Sequence, residues 1–306
     1  MINQYRKIVY LDERGRSFEV QAKKDIILEA MEEPGGKLVI RALNISHMSC
    51  ANPPIPEGWK HISGEWNNGY VIKRDKDGSE MVWVPVQILD ADGTLDGKAF
   101  CEKFGRRYYR ENEIAKNGFH EKFEGRLVLQ AESIEKYGGF YISRYEISKS
   151  GDQIHSVKDV MPLNNISFYE AMKLAKDFEN TEKVKSHIPY GAEYDSVLAW
   201  FIKSKARTVK EIAENSAEWG NFPDAENALN QIARTGSNEN WCTNGIYDLA
   251  GNLDEWTQEE CRTDSYVTRS GHYSLNGHYY PACYRNYRKP GMKSNASGFR
   301  VVLFLK

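Results

Sequence analysis

Two carboxylates, Asp248 and Glu255, lie in the run Asp248-Leu-Ala-Gly-Asn-Leu-Asp-Glu-Trp256, a glycine-containing loop able to hold a cation. Hard oxygen donors of this kind are what calcium requires. The same side chains could instead cap turns and pair with arginines such as Arg300, and both readings stay open. Softer chemistry is sparse. The cysteines, Cys50, Cys101, Cys242, Cys261 and Cys283, are odd in number and no pair has CxxC spacing, so neither a zinc site nor a disulfide framework is indicated. Reduced, partly buried thiols are expected, with Cys242 and Cys261 the pair to inspect for a bridge. The seven histidines are scattered. His272 and His278, separated by a glycine-containing loop, suit surface recognition better than metal binding. There is no GxSxG, no HExxH and no phosphate-binding glycine loop, and the pairs Gly35-Gly36 and Gly138-Gly139 read as turns.

The densest functional vocabulary lies in residues 264–297, which hold Tyr266, Tyr273, Tyr279, Tyr280, Tyr284 and Tyr287. Among them are His272, Asn276, His278, Asn286, Lys289, Lys293 and Asn295, with Ser and Gly throughout. Tyrosine supplies large contact area at low entropy cost, and Ser, Gly and Asn supply adaptable hydrogen bonds, so this is the composition of a paratope. The predicted ligand contacts are His272, Tyr273, Asn276, His278, Tyr279, Tyr284, Asn286, Tyr287, Lys289, Lys293 and Asn295.

These residues need a scaffold. The 306 residues can bury one large core, or a main domain with a smaller one. A formal net charge of −2 gives no basic field for nucleic acid, and the longest apolar runs, such as Val301–Leu305, are too short to span a bilayer. The N-terminus has no apolar stretch of secretory type. Residues 1–50 read as a small β-rich module. In it, Arg6–Leu11 and Ser17–Val20 are strands around the turn Asp12–Gly15, Asp25–Met31 is a short helical piece ended by Pro34-Gly-Gly36, and Lys37–Arg41 is a further strand. Residues 51–58, Ala-Asn-Pro-Pro-Ile-Pro-Glu-Gly, read as a stiff proline-rich linker. The main domain is placed at 59–306. Strands are expected at Tyr70–Lys73, Met81–Val86, Gly139–Ser148 (half-buried) and Gly298–Leu305, and residues 87–136 read as an insertion with some helix. Ser167-Phe-Tyr-Glu170 is a capping box opening one helix, and a second starts near Ala192 with an apolar stripe from Tyr194 to Ile202.

Several stretches occur in the order found in the formylglycine-generating enzyme (sulfatase-modifying factor) family, a variant of the C-type lectin fold. Met81-Val-Trp-Val-Pro85, Phe140–Ile147, Pro162–Ala171, Ile188–Tyr194, Asp248–Trp256 and Gly298-Phe-Arg300 resemble that family's succession of motifs across roughly residues 81–306. The resemblance implies an α+β, C-type lectin-like domain in which Trp256, Phe299 and Arg300 serve stability. It also implies a structural calcium ion held by Asp248, the carbonyls of Gly251 and Leu253, and Glu255.

The family's oxidases bind copper through two thiolates. Here Ser274 or Leu275 stands at the first position and only Cys283 falls near the second, so that soft two-sulfur site is not formed. Related sulfoxide synthases hold iron through three histidines, and their HxxxHxE motif is missing, so neither copper nor iron is expected. The run Arg269-Ser-Gly-His-Tyr273, Pro281–Asn286, Pro290 and Gly298-Phe-Arg300 resembles instead the variable proteins of diversity-generating retroelements, found in phages and some bacteria and archaea. The implied function is non-catalytic binding of a cell-surface protein or glycan by a phage or prophage tail-associated receptor binder. Such a protein is made in the cytoplasm, associated with a virion through its N-terminal module, and open to homo-oligomerisation. A divergent metal-dependent oxidase using Cys283 with His272 or His278, and a structural virion component, are the alternatives.

Overall fold

A computed structural model describes residues 53–66, 68–86, 118–121, 125–226, 228–261 and 264–306, and the backbone of residues 5–11, 17–23, 26–33 and 37–44. The turns at 12–15 and 34–36, Cys50, Cys101 and residues 87–117 of the expected insertion lie outside the described residues. The chain divides into two compact units, one within residues 1–51 and a larger one within residues 52–306.

The smaller unit contains two antiparallel hairpins. Strand β1 (Tyr5–Leu11) pairs with β2 (Ser17–Lys23), and β3 (Ile26–Glu33) with β4 (Lys37–Asn44). The helix expected at Asp25–Met31 is therefore a strand. Leu28, Glu29, Ala30 and Met31 are good helix formers, but a short stretch of favourable propensity yields to cross-strand pairing with Val39–Ala42.

In the larger unit, β5 (Trp59–Ser63), β6 (Val71–Arg74) and β7 (Glu80–Pro85) are followed by helix α1 (Arg126–Tyr137), then β8 (Gly139–Ser143) and the short hairpin β9 (Ser148–Ser150) and β10 (Gln153–His155). Next come α2 (Phe168–Phe178), β11 (Val184–His187), α3 (Gly191–Lys203) and α4 (Val209–Ala213). The C-terminal third holds β12 (Cys242–Thr243), β13 (Ile246–Tyr247), β14 (Asp254–Cys261), β15 (Ser265–Arg269), β16 (Arg285–Arg288), β17 (Ser297–Gly298) and β18 (Val302–Leu305). A six-stranded sheet runs in the order β11-β18-β8-β7-β6-β5, and a four-stranded sheet in the order β16-β15-β14-β17.

The strand expected over Gly139–Ser148 ends at Ser143 and is buried at every position instead of every second one. It lies between β7 and β18 with both faces covered, which removes the alternation that marks a half-exposed strand. The strand expected over Gly298–Leu305 splits, with Gly298 pairing to β14 and Val302–Leu305 entering the large sheet. The break lets Phe299 and Arg300, both fully buried, sit between the two sheets' strands in sequence.

Helix α2 opens on the predicted capping box: Glu170 N donates to Ser167 Oγ and Ser167 N donates to Glu170 Oε2. Helix α3 is buried far beyond its apolar stripe, taking Glu193, Asp195 and Ser196 inside as well. Proline-rich residues 53–58 pack on the larger unit, where Pro53 and Pro56 are buried and Tyr141 Oη donates to the Pro54 carbonyl at 3.2 Å. No helix among the described residues is long and apolar enough to cross a membrane.

Candidate functional site

Strands β14, β15 and β16 form the platform for the tyrosine-bearing segment. Between β15 and β16 the chain makes a succession of turns over residues 270–284, and a second set of turns over 289–296 leads to β17. The first loop is held from below. Gly277 N donates to Asp224 Oδ1 at 2.7 Å, Ala282 N to Ser216 Oγ at 2.9 Å, and Tyr273 N to the Asn252 carbonyl at 3.1 Å. Gly271, at φ +69°, passes so close to the Tyr280 backbone that a Cβ would lie 2.7 Å from its carbonyl oxygen, so only glycine fits there.

On this frame the predicted contacts separate by exposure. Tyr279 is 66% exposed and Tyr287 45%, and His278, Lys289, Lys293 and Asn295 are exposed too. Tyr273, Asn276, Tyr284 and Asn286 are partly covered. His272 departs from the expectation of an exposed recognition histidine. It is buried, its Nδ1 faces Ser274 Oγ at 3.1 Å, and burial pulls its pKa below the ordinary imidazole value. Asn276 is chiefly a turn-former, accepting from His278 N through Oδ1 and from Tyr279 N and Tyr280 N through its carbonyl. Lys293 Nζ reaches Glu170 Oε1 at 2.6 Å, and Asn164 Nδ2 donates to the Asn295 carbonyl.

Beneath the segment is a group of buried charges that sequence reasoning missed. Arg269 and Arg285 lie opposite one another on β15 and β16 and are fully buried. Arg269 Nη2 contacts Asp195 Oδ1 at 2.5 Å, Arg285 Nη2 contacts Asp195 Oδ2, and Arg285 Nε contacts Glu259 Oε2 at 2.7 Å. The Arg269 guanidinium also stacks over the Tyr194 ring, 4.6 Å from its centroid. Asp195 comes from α3 and Glu259 from β14, so the network clamps the platform to the helix. Close by, Glu121 accepts from Ala192 N at 3.1 Å, and burial together with the Glu259 charge pushes its carboxyl up to about 8. No local sequence signal marks these arginines, because their partners Asp195 and Glu259 are distant in the chain.

Cys283 is buried against this network, and burial pushes its thiol up to about 11. A soft-metal ligand must be the thiolate, which this environment disfavours. Cys242 and Cys283 are free thiols.

The predicted cation loop is tightly built. Asp248 and Asn252 adopt positive φ (57° and 59°), and a Cβ on Gly251 would lie 2.4 Å from the Asn221 carbonyl oxygen. Asp248 Oδ2 accepts from Gly236 N, the Leu253 carbonyl accepts from Ser270 Oγ, and Glu255 Oε1 accepts from Arg300 Nε at 2.7 Å. Glu146, also fully buried, accepts from Leu253 N. Burial pushes Asp248 up to about 6 and Glu255 up to about 7, with Arg300 opposing both shifts. Asp248 Oδ1 and Glu255 Oε2 have no hydrogen-bond partner among the described residues, which suits a cation ligand, while Arg300 already neutralises part of the charge. No group of three or more His, Cys, Asp or Glu among the described residues is arranged to hold a metal ion.

The sequence pattern of the Sulfatase-modifying factor enzyme 1-like domain matches residues 136–304. Similar solved structures include Treponema denticola variable protein 1 (16% identity, 54% of this chain and 84% of that one, TM-score 0.39). CarF is similar over 55% of this chain and 87% of its own (16% identity, TM-score 0.41). PvdO from Pseudomonas aeruginosa is similar over 79% of this chain and 100% of its own (15% identity, TM-score 0.48). No curated protein matches the sequence.

Proposed function

The chain belongs to the Sulfatase-modifying factor enzyme 1-like family and has its C-type lectin-like α+β fold, and from that premise we propose that it is a non-catalytic ligand-binding protein. In this reading the recognition surface is the segment 272–295, and the protein is a phage- or prophage-encoded receptor binder. The observation that carries the reading is the division within that segment: Tyr279 and Tyr287 project into solvent, while Arg269 and Arg285 lock the strands below them. Rigid aromatic display on a fixed platform is how binding surfaces limit the entropy lost on association. The buried, protonated Cys283 supports binding over copper-dependent oxidation.

Calcium bound by Asp248, the Gly251 and Leu253 carbonyls and Glu255 is the structural ion of this proposal, supported by the two unpartnered carboxylate oxygens. Attachment to a virion through residues 1–50 belongs to the same proposal.

The test is flow cytometry of the fluorescently labelled full chain on intact bacterial cells. Tyr279→Ala and Tyr287→Ala should each weaken staining without shifting the melting temperature. Unchanged staining in both sinks the site. Copper titration with a thiol-peptide oxidation assay addresses the oxidase alternative, which stoichiometric copper with turnover would establish.

A further inference from the structure

By strand alternation, Val267 and Tyr287 share a face of the four-stranded sheet with Arg269 and Arg285, whose partner Asp195 belongs to α3. Residues 118–121 cover part of the same face. Phe119 is buried, packs with Val267 and Cys261, and meets the Tyr287 ring edge-on at 6.3 Å between centroids. His120 pairs with Glu260 of β14 through two backbone hydrogen bonds of 3.0 and 2.9 Å, and its Nε2 lies 3.4 Å from Glu260 Oε2. Glu121 sets its carboxyl on the first turn of α3, where Oε1 accepts from Gly191 N and Oε2 from Ala192 N at 3.1 Å. One short strap thus joins β14, α3 and the displayed Tyr287.

Charge makes this attachment conditional. A Cβ on Gly191 would lie 2.5 Å from Glu259 Oε2, so the Glu121 and Glu259 carboxyls converge on one residue. Two more carboxylates, Glu193 and Asp195, come from α3 itself. Arg269 and Arg285 hold Asp195 and Glu259, and His187 Nε2 of β11 holds Glu193 at 2.9 Å. No cation among the described residues contacts Glu121, since Arg126 of α1 donates instead to the Ser186 carbonyl. Burial and the nearby carboxylates hold the Tyr190 phenol above its ordinary pKa, so it adds no charge. The two amide donors favour an ionised Glu121. Burial, with the Glu259 and Glu193 charges, outweighs them and pushes its carboxyl up to about 8.

We propose that residues 118–121 form a clasp closed by a proton on Glu121, and that this clasp fixes the ring of Tyr287. The proposal deepens the binding reading above, in which Tyr287 is a contact, and makes Phe119 and Glu121 positioning residues for it. The folded carboxyl holds its proton more tightly than a free glutamate does. Its contribution to closure is therefore complete below the ordinary glutamate range and is lost as pH rises through about 8. Beyond that, Glu121 and Glu259 repel each other across Gly191.

The experiment is fluorine NMR of the full chain carrying 4-trifluoromethylphenylalanine in place of Tyr287, titrated from about pH 5 to about pH 9.5. It is run on this parent protein and on the same protein with Glu121→Gln or Phe119→Ala. The parent resonance should move with a midpoint near pH 8. Glutamine keeps an acceptor for Gly191 N and cannot ionise, so Glu121→Gln should hold the low-pH resonance throughout. Phe119→Ala removes the brace and should place the resonance near the high-pH position at every pH. A parent resonance that does not move overturns the proposal. So does a transition that survives Glu121→Gln, which would belong to another group such as His120 or Cys261. A Phe119→Ala spectrum equal to the parent's at low pH overturns it as well. Because no ligand is added, a Glu121-dependent transition upholds the clasp even where cell staining ignores Tyr287, and then only the binding reading fails.

Discussion

Arg285 and Tyr287 lie two residues apart on one strand and face the same way, yet Arg285 is 1% exposed and Tyr287 is 45% exposed. The arginine bridges Asp195 and Glu259 inside the molecule, and the tyrosine ring meets the edge of Phe119, with ring centroids 6.3 Å apart. Support and display are thus interleaved within a single strand, and position on the strand decides which role a residue takes. Substitution is therefore expected to cost more stability at the supporting positions than at the displayed ones.

Breaking the support should have the largest effect. Arg285→Ala leaves Asp195 and Glu259 partly uncompensated in the interior and should cost about 3–5 kcal/mol of folding stability, read by chemical denaturation. A loss under 1 kcal/mol would show that the clamp is dispensable and end the contrast.

The cation loop should come next. Asp248 and Glu255 hold protons more tightly folded than unfolded, so their contribution is greatest below about pH 4 and is lost as pH rises through about 6 to 7. Asp248→Asn should flatten the decline in stability between pH 4 and pH 7, a difference on the order of 1–3 kcal/mol. Calcium, which prefers the ionised carboxylates, should raise the wild-type melting temperature more at pH 8 than at pH 5 and leave Asp248→Asn unmoved. An identical pH profile for variant and wild type would remove the shifted carboxylate from the account.

The exposed pair Lys293–Glu170 should matter little, with Lys293→Ala within about 1 kcal/mol of wild type. Smallest of all in stability should be Tyr279→Ala, within about 0.5 kcal/mol by the same denaturation measurement, although its effect on cell staining should be clear. A destabilisation comparable to that of Arg285→Ala would make Tyr279 part of the support.

The sequence showed what depends on neighbours in the chain. The capping box at Ser167 and Glu170 and the strands expected at Tyr70–Lys73 and Met81–Val86 are local patterns. So is the succession of motifs ending in Gly298-Phe-Arg300. The β3 hairpin was misread because Leu28–Met31 favour helix alone and strand only when Val39–Ala42 pair with them. The Arg269–Asp195–Arg285–Glu259 clamp joins residues as far as 90 positions apart, and nothing local distinguishes such arginines from solvated ones. The Ser, Asn and Gly around His272 point to an exposed loop, whereas the fold buries its ring with Nδ1 facing Ser274 Oγ.

Strand β18 follows all of these loops in the sequence and sits between β11 and β8 in the large sheet. During synthesis the sheet therefore cannot close until the displayed loops have already been translated, since its missing strand is made after them. A frameshift or stop within residues 264–297 would leave a gap between β11 and β8, exposing two strand edges to proteases and chaperones. Only chains whose reading frame survives the displayed region intact reach the folded state, so the fold itself screens the integrity of the surface it presents.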